Sequence, residues 1–282
     1  MKTTEGYSQK GVMQFIRALA YASTTGVVML SLVLLRYNSQ SGIFIALALF
    51  GVLSIVAESV FTSKRAYTMN THTIPLSRAE HYFSHAVNHI IYPVFFFLSY
   101  AYYVYFSENV FVSTAIGVLG VGLYIIFYFL LPRHLHEGHI DSPNTAHSEA
   151  KVDILMFVFK LISYCMVHIA LFLAWEQSRI TENGLFIVSA LTTLLYLVLH
   201  LNRILRVTGI NIFIAILFSV INTLFIVAAR VYLDDYSAPI ATLFFYLTSG
   251  IFYHKLDGTL TYKVMVEYSS LALILSIFIF SN

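Results

Sequence analysis

Glu80-His81-Tyr82-Phe83-Ser84-His85-Ala86-Val87-Asn88-His89 opens an apolar run that continues to Phe106. Its histidines recur every fourth residue. On a helix that spacing advances about 400° per step, so the three imidazoles form a slowly drifting line on one face. The run is long enough to cross a bilayer, and a polar ladder leading into a membrane span is costly unless it faces protein, water or a metal. Helix is the structure such a run adopts in lipid, because its backbone polar groups must be satisfied within the segment.

Outward from this stretch the pattern repeats. Apolar runs cover residues 12–35, 43–61, 81–106, 110–131, 152–175, 185–205, 210–229, 238–253 and 260–280. Composition agrees: of 282 residues 59% are hydrophobic and only 11% charged, with a mean hydropathy of +0.78. So few charges over so long a chain exclude an ordinary soluble globular domain. The expected fold is therefore an all-α, polytopic integral membrane helix bundle of about nine transmembrane helices. No repeat, low-complexity tract or linker divides it, so residues 1–282 read as a single transmembrane domain. The first run follows Lys10 and Arg17, is too long for a signal-peptide core, and reads as a retained span.

Basic residues set the orientation. With nine spans, Lys2, Lys10, Arg17, Lys64, Arg65, Arg78, Arg133, Lys151, Lys160, Arg203, Arg206, Lys255 and Lys263 fall on one side, and Arg36, Arg179 and Arg230 on the other. Thirteen of the sixteen Lys and Arg sharing a side make that side, and the N-terminus, cytoplasmic. The net charge of +2 gives no reason to expect nucleic acid as a partner. The expected partner is the lipid bilayer, with the plasma membrane as its location if the source is prokaryotic.

Histidine follows the same sorting although the positive-inside rule does not govern it. Ten of the eleven histidines fall in the cytoplasmic loops or inner halves of the spans, and only His168 lies in an outer half. Longer inner loops explain part of this skew, but not His85, His89 and His200 within spans. Neutral imidazole with carboxylate suits zinc or non-haem iron, and i,i+4 spacing lets two side chains on a helix reach one ion. The candidate ligands are His81, His85 and His89, joined by His134, His136, His139 or His254 from the adjoining segments. Glu80 and Asp257 are the candidate general bases. Proton carriage or simple helix-end hydrogen bonding are the other readings of the same histidines. The His134 to His147 stretch has the spacing H-x-H-x-x-H, which flexible loops also use for loose metal binding.

Several features carry plainer structural readings. Ser77-Arg78-Ala79-Glu80 has the form of a capping box that starts the third span, which gives Glu80 a competing role. His254-Lys255-Leu256-Asp257-Gly258 contains an Asp-Gly turn signal, with Thr259 as the expected cap of the last span. Tyr92, Tyr100, Tyr102, Tyr103 and Tyr105 crowd the third span and suit helix packing or interfacial belts, with an apolar groove for a lipid chain as the sharper alternative. Polar stripes recur in span five (Asp153, Lys160, Tyr164, His168) and span six (Thr193, Tyr196, His200, Arg203). Lys160 and His168 are costly to bury and require partners. Arg17 and Tyr21 in span one, Glu58 in span two and the Lys263–Glu267 pair in span nine lie at similar depth. The expectation is a polar inner half and a dry outer half.

Absences narrow the chemistry. The one cysteine, Cys165, allows neither an intramolecular disulfide nor a thiolate zinc site. There is no GxxxxGK[ST], HExxH or GxSxG. The His-x-x-x-His spacing is similar to the first histidine box of membrane desaturases and hydroxylases, but their adjacent His-His pairs are missing, so that resemblance implies no site residue here. The leading expectation is a membrane-embedded, metal-dependent enzyme acting on a lipid or isoprenoid-like substrate at the cytoplasmic leaflet. A secondary transporter using His85, His89, Lys160 and Glu267 is the first alternative, although the later spans lack the paired Gly or Pro breaks of discontinuous helices. A non-catalytic membrane scaffold is the second. Oligomeric state is not legible.

Overall fold

The computed structural model describes residues 4–37, 41–69, 90–137, 143–201, 209–233, 236–256 and 258–281. Among these residues there are nine longer helices and no strand: α1 (Thr4–Tyr37), α2 (Ser41–Met69), α3 (Tyr92–Phe106), α4 (Val110–Glu137), α5 (Pro143–Glu176), α6 (Glu182–Leu201), α7 (Gly209–Leu233), α8 (Ser237–Leu256) and α9 (Tyr262–Ser281). They correspond one for one to the nine apolar runs. Five contain a stretch long and apolar enough to cross a membrane: Phe15–Arg36, Gly42–Val60, Val110–Leu130, Ile154–Glu176 and Phe213–Leu233. The chain is thus an all-α, multi-pass membrane bundle. Against an expectation of nine spans, only these five meet both requirements among the described residues. α3 has 15 residues, about 22 Å of rise, because the ladder half of its run lies outside the described residues. The apolar stretch of α6, Glu182–Val198, is also short.

The helices outrun the apolar segments. α2 continues through Lys64 and Arg65 to Met69, and α4 through Pro132 to Glu137. α5 begins at Pro143, a residue suited to a first helical position because no hydrogen bond needs its missing N–H. The polar connections expected over 62–78 and 132–150 are therefore partly helix. Lipid makes each span helical, and extending an existing helix into polar flanks costs far less than starting one.

Turn chemistry sets the helix ends. After α8, Gly258 adopts φ +71°; its N–H donates to Lys255 O (3.4 Å) and that of Thr259 to His254 O (3.0 Å). This six-to-one, five-to-two pair is a Schellman cap, and it fulfils the Asp-Gly turn signal. α5 ends the same way with Ser178 at φ 56°, the N–H groups of Arg179 and Ser178 bonding Ala174 O and Trp175 O. The cap of α9 is Thr261 rather than Thr259: Thr261 Oγ1 accepts from Val264 N at 3.3 Å. Thr259, which read as that cap, instead completes the turn. The tight connection before α4 is capped by Asn109, whose Oδ1 accepts from Val112 N at 3.0 Å.

The chain divides into two compact units, Met1–Ser163 and Tyr164–Asn282, the division falling within α5. In the first unit the core is aromatic. The Phe96 ring lies edge-on to Phe159 and Tyr124 at 5.1 and 5.8 Å, and Phe127 meets Phe159 at 6.0 Å. The Tyr124 hydroxyl donates to Pro93 O at 2.6 Å, and the Tyr100 hydroxyl lies 3.2 and 3.1 Å from the carbonyls of Met29 and Ser113. Tyr92, Tyr100 and Tyr103 are buried, so for these three the packing account of the span-three tyrosines holds. α4 approaches α1 and α3 closely where Gly120 faces Met29 and Phe96. In the second unit Tyr164 stacks on Phe245 at 4.2 Å, Phe225 on Phe244 at 3.9 Å, and Phe218 on Phe252 at 4.8 Å. Ile187, Leu191, Leu195 and Val198 stand exposed along one stripe of α6, the face a lipid solvent requires.

Candidate functional site

Most of the expected site lies beyond what the structure describes. Glu80, His81, His85, His89, His139 and Asp257 are outside the described residues, as are Ser77 and its capping box. His134 and His136 stand in the last turn of α4. There the helical backbone sets positions two apart about 200° around the axis, unlike the flexible loop expected for the H-x-H spacing. Among the described residues no three His, Cys, Asp or Glu come together as a metal-holding group.

His254 is the one candidate ligand whose side chain is described. It ends α8, its Nδ1 lies 2.8 Å from Thr259 Oγ1, and its ring is edge-on to Tyr253 and Tyr268 at 5.5 and 5.7 Å. The turn that places Thr259 there is the Schellman cap just described. A partner on one ring nitrogen orients the imidazole and leaves the other nitrogen available, which is how metal-binding imidazoles are commonly held.

The polar stripes of spans five and six meet each other in the second unit. Tyr164 Oη lies 3.0 Å from Thr193 Oγ1, and the Tyr164 ring is edge-on to Tyr196 at 5.4 Å. His168 is fully buried, with Nδ1 2.8 Å from Tyr164 O and Nε2 3.1 Å from Ser189 Oγ. A carbonyl only accepts, so Nδ1 carries a proton; Ser189 then donates to Nε2, and one neutral tautomer satisfies both nitrogens. The partner His168 required is Ser189, one helix away. Further along, Ser219 Oγ donates to Ala190 O at 2.6 Å, and Thr248 Oγ1 to Asn222 Oδ1 at 3.3 Å. Near the C-terminal ends of α5 and α7, Arg230 pairs with Glu176 and lies over the Phe172 ring at 5.4 Å. Ser189, Asn222 and Glu176 were not among the sequence candidates. An Asn in the middle of an apolar run was the available signal for one of them.

Other charged candidates separate by environment. Lys160 is 2% exposed, with Nζ 5.0 Å from the Phe157 ring centroid, one turn back on α5. Lys263 and Glu267 pair at 3.8 Å on an open face of α9, their side chains 86% and 60% exposed. Arg17 is exposed on α1, and the ring of Tyr21 meets Tyr128 edge-on at 5.7 Å. Glu58 on α2 accepts from Ser54 Oγ at 3.2 Å through Oε1.

Comparison with protein families, with curated proteins and with solved structures finds no match to this chain. The class defined by the fold is a multi-pass helical membrane protein, and its activity has to be read from its own residues.

Proposed function

We propose that the protein is a membrane-embedded, metal-dependent enzyme acting on a lipid or isoprenoid-like substrate at the cytoplasmic leaflet, with nine crossings and the N-terminus inside. The observation that carries this reading is the ladder His81, His85, His89, together with ten of eleven histidines on the side that holds thirteen of sixteen basic residues. Imidazoles at i,i+4 supply two ligands from one helix, and His134, His136, His139 or His254 supply the rest. The donor set is all nitrogen and oxygen, which suits zinc or non-haem iron. The His254 ring supports the fit, since the contact of its Nδ1 with Thr259 Oγ1 leaves Nε2 as the nitrogen that a metal would take.

A bound zinc supplies hydrolytic chemistry and a bound iron oxidative chemistry. The chain's own residues do the remainder. Glu80, at the head of the ladder, or Asp257, beside the α8 turn, takes up a proton as general base. The exposed apolar helix faces hold the hydrocarbon part of the substrate, while the inner basic residues favour an anionic headgroup. Metal analysis of the purified protein tests the reading. Near-stoichiometric zinc or iron that falls sharply in His85→Ala is expected; metal far below one equivalent, unchanged by that substitution, would overturn it.

A further inference from the structure

Among the described residues, α9 is covered along one side. Tyr268 lies over the notch left by Gly250 of α8 and stacks on Tyr246 at 5.0 Å. Val264, Ala272 and Ser276 continue that side at steps of four, and like Tyr268 they are half-buried. Roughly 160° around the helix, at about 100° per residue, runs a second line: Lys263, Glu267, Ser270, Ile274 and Ile277. All five are exposed, Ile274 by 62% and Ile277 by 60%. Their steps of four, three, four and three are those of a heptad seam, the pattern by which two helices pack knobs into holes.

The residues on this line are not those of a face meant for lipid alone. The exposed stripe of α6 is wholly apolar, Ile187, Leu191, Leu195 and Val198. The α9 line instead carries an ammonium, then a carboxylate about 6 Å and a hydroxyl about 10 Å further along the axis. Within the helix Lys263 and Glu267 meet only at 3.8 Å, with lysine N-terminal to glutamate, the weaker order of an i,i+4 pair. An exposed pair of that kind contributes little, so both charges stay open to a better partner. We infer that this line is the interface of a homodimer, in which a second copy of the chain lays the same face of α9 against it. The line is complementary to itself. A two-fold axis along the membrane normal keeps the two helices parallel and at equal depth, so Lys263 of each copy comes one turn from Glu267 of the other. Ser270 is small enough to let the backbones approach, and Ile274 and Ile277 pack beyond it. The inference takes α9 to lie in the bilayer, as the nine-crossing reading has it, and is independent of the metal.

Disulfide cross-linking of the full-length protein in membranes tests this, with Cys165 replaced by Ala and one new cysteine at a time on α9. Ser270→Cys, Ile274→Cys and Ile277→Cys are expected to give a covalent dimer. Leu271→Cys and Leu273→Cys, also exposed but off the line, are expected to give at least about fivefold less, because a disulfide needs its Cβ atoms within about 3.5–4.5 Å. Equal yields at all five positions, or no dimer at any, would overturn the inference. Glu267→Lys and Lys263→Glu each leave a line of one sign, and each alone is expected to lower the yield at Ile274→Cys about fivefold. Co-expressed with different tags, these two variants should cross-link to each other in preference to themselves; pairing without that preference would also overturn it. A charged, membrane-impermeant maleimide separates premise from inference. Ready labelling of Ile274→Cys takes α9 out of the bilayer and overturns both, whereas a protected cysteine that forms no dimer overturns the dimer alone.

Discussion

At the scale of single residues, this molecule hides polar atoms by pairing them across helices. His168 is the clearest instance, because its two ring nitrogens are met by a backbone carbonyl on its own helix and a serine hydroxyl on the next. Removing that serine hydroxyl leaves Nε2 without a donor in a site that water does not reach. Ser189→Ala is therefore expected to destabilise the fold by about 1–2 kcal/mol, measured by thermal or detergent unfolding. An unchanged melting curve would mean that the Ser189 contact carries no weight. The sequence marked His168 as needing a partner but had no means to name Ser189. Helical periodicity orders residues around one helix, and says nothing of which neighbour each face meets. The same limit hid the Thr248–Asn222 contact and the Glu176–Arg230 pair.

At the scale of helices and turns, the apolar runs told more. All nine became helices, because a long apolar segment in lipid has no other way to satisfy its backbone. Their ends were less legible. Charges such as Lys64 and Arg65 suggested a loop, yet α2 runs through both to Met69, since charge alone does not terminate a helix. Glycine was a better guide: Gly258 stops α8 because the left-handed φ it adopts is strained for other residues. Close packing makes a second use of glycine. At Gly250 on α8 an added Cβ would sit 2.0 Å from the Tyr268 ring of α9. Gly250→Ala must push α9 away or turn Tyr268, and is expected to cost about 1–3 kcal/mol, the range of overpacked cores. A loss under about 0.5 kcal/mol in the same unfolding measurement would show that α9 is held elsewhere.

At the scale of the whole molecule, the class was plain from composition: a chain 59% hydrophobic and 11% charged has to be solvated by lipid. The candidate site was legible only as a pattern. Which histidines share a face follows from spacing along one helix, whereas which segments bring a further ligand depends on tertiary arrangement that no periodicity encodes. The proposed activity therefore stands on one claim, that ladder imidazoles hold a transition metal at the inner membrane face. X-ray absorption at the zinc or iron edge of the purified protein measures this directly. The account predicts at least two imidazole nitrogens at about 2.0–2.1 Å from the metal, with one of them lost in His85→Ala. A spectrum with oxygen scatterers alone, the same in wild type and variant, would contradict it.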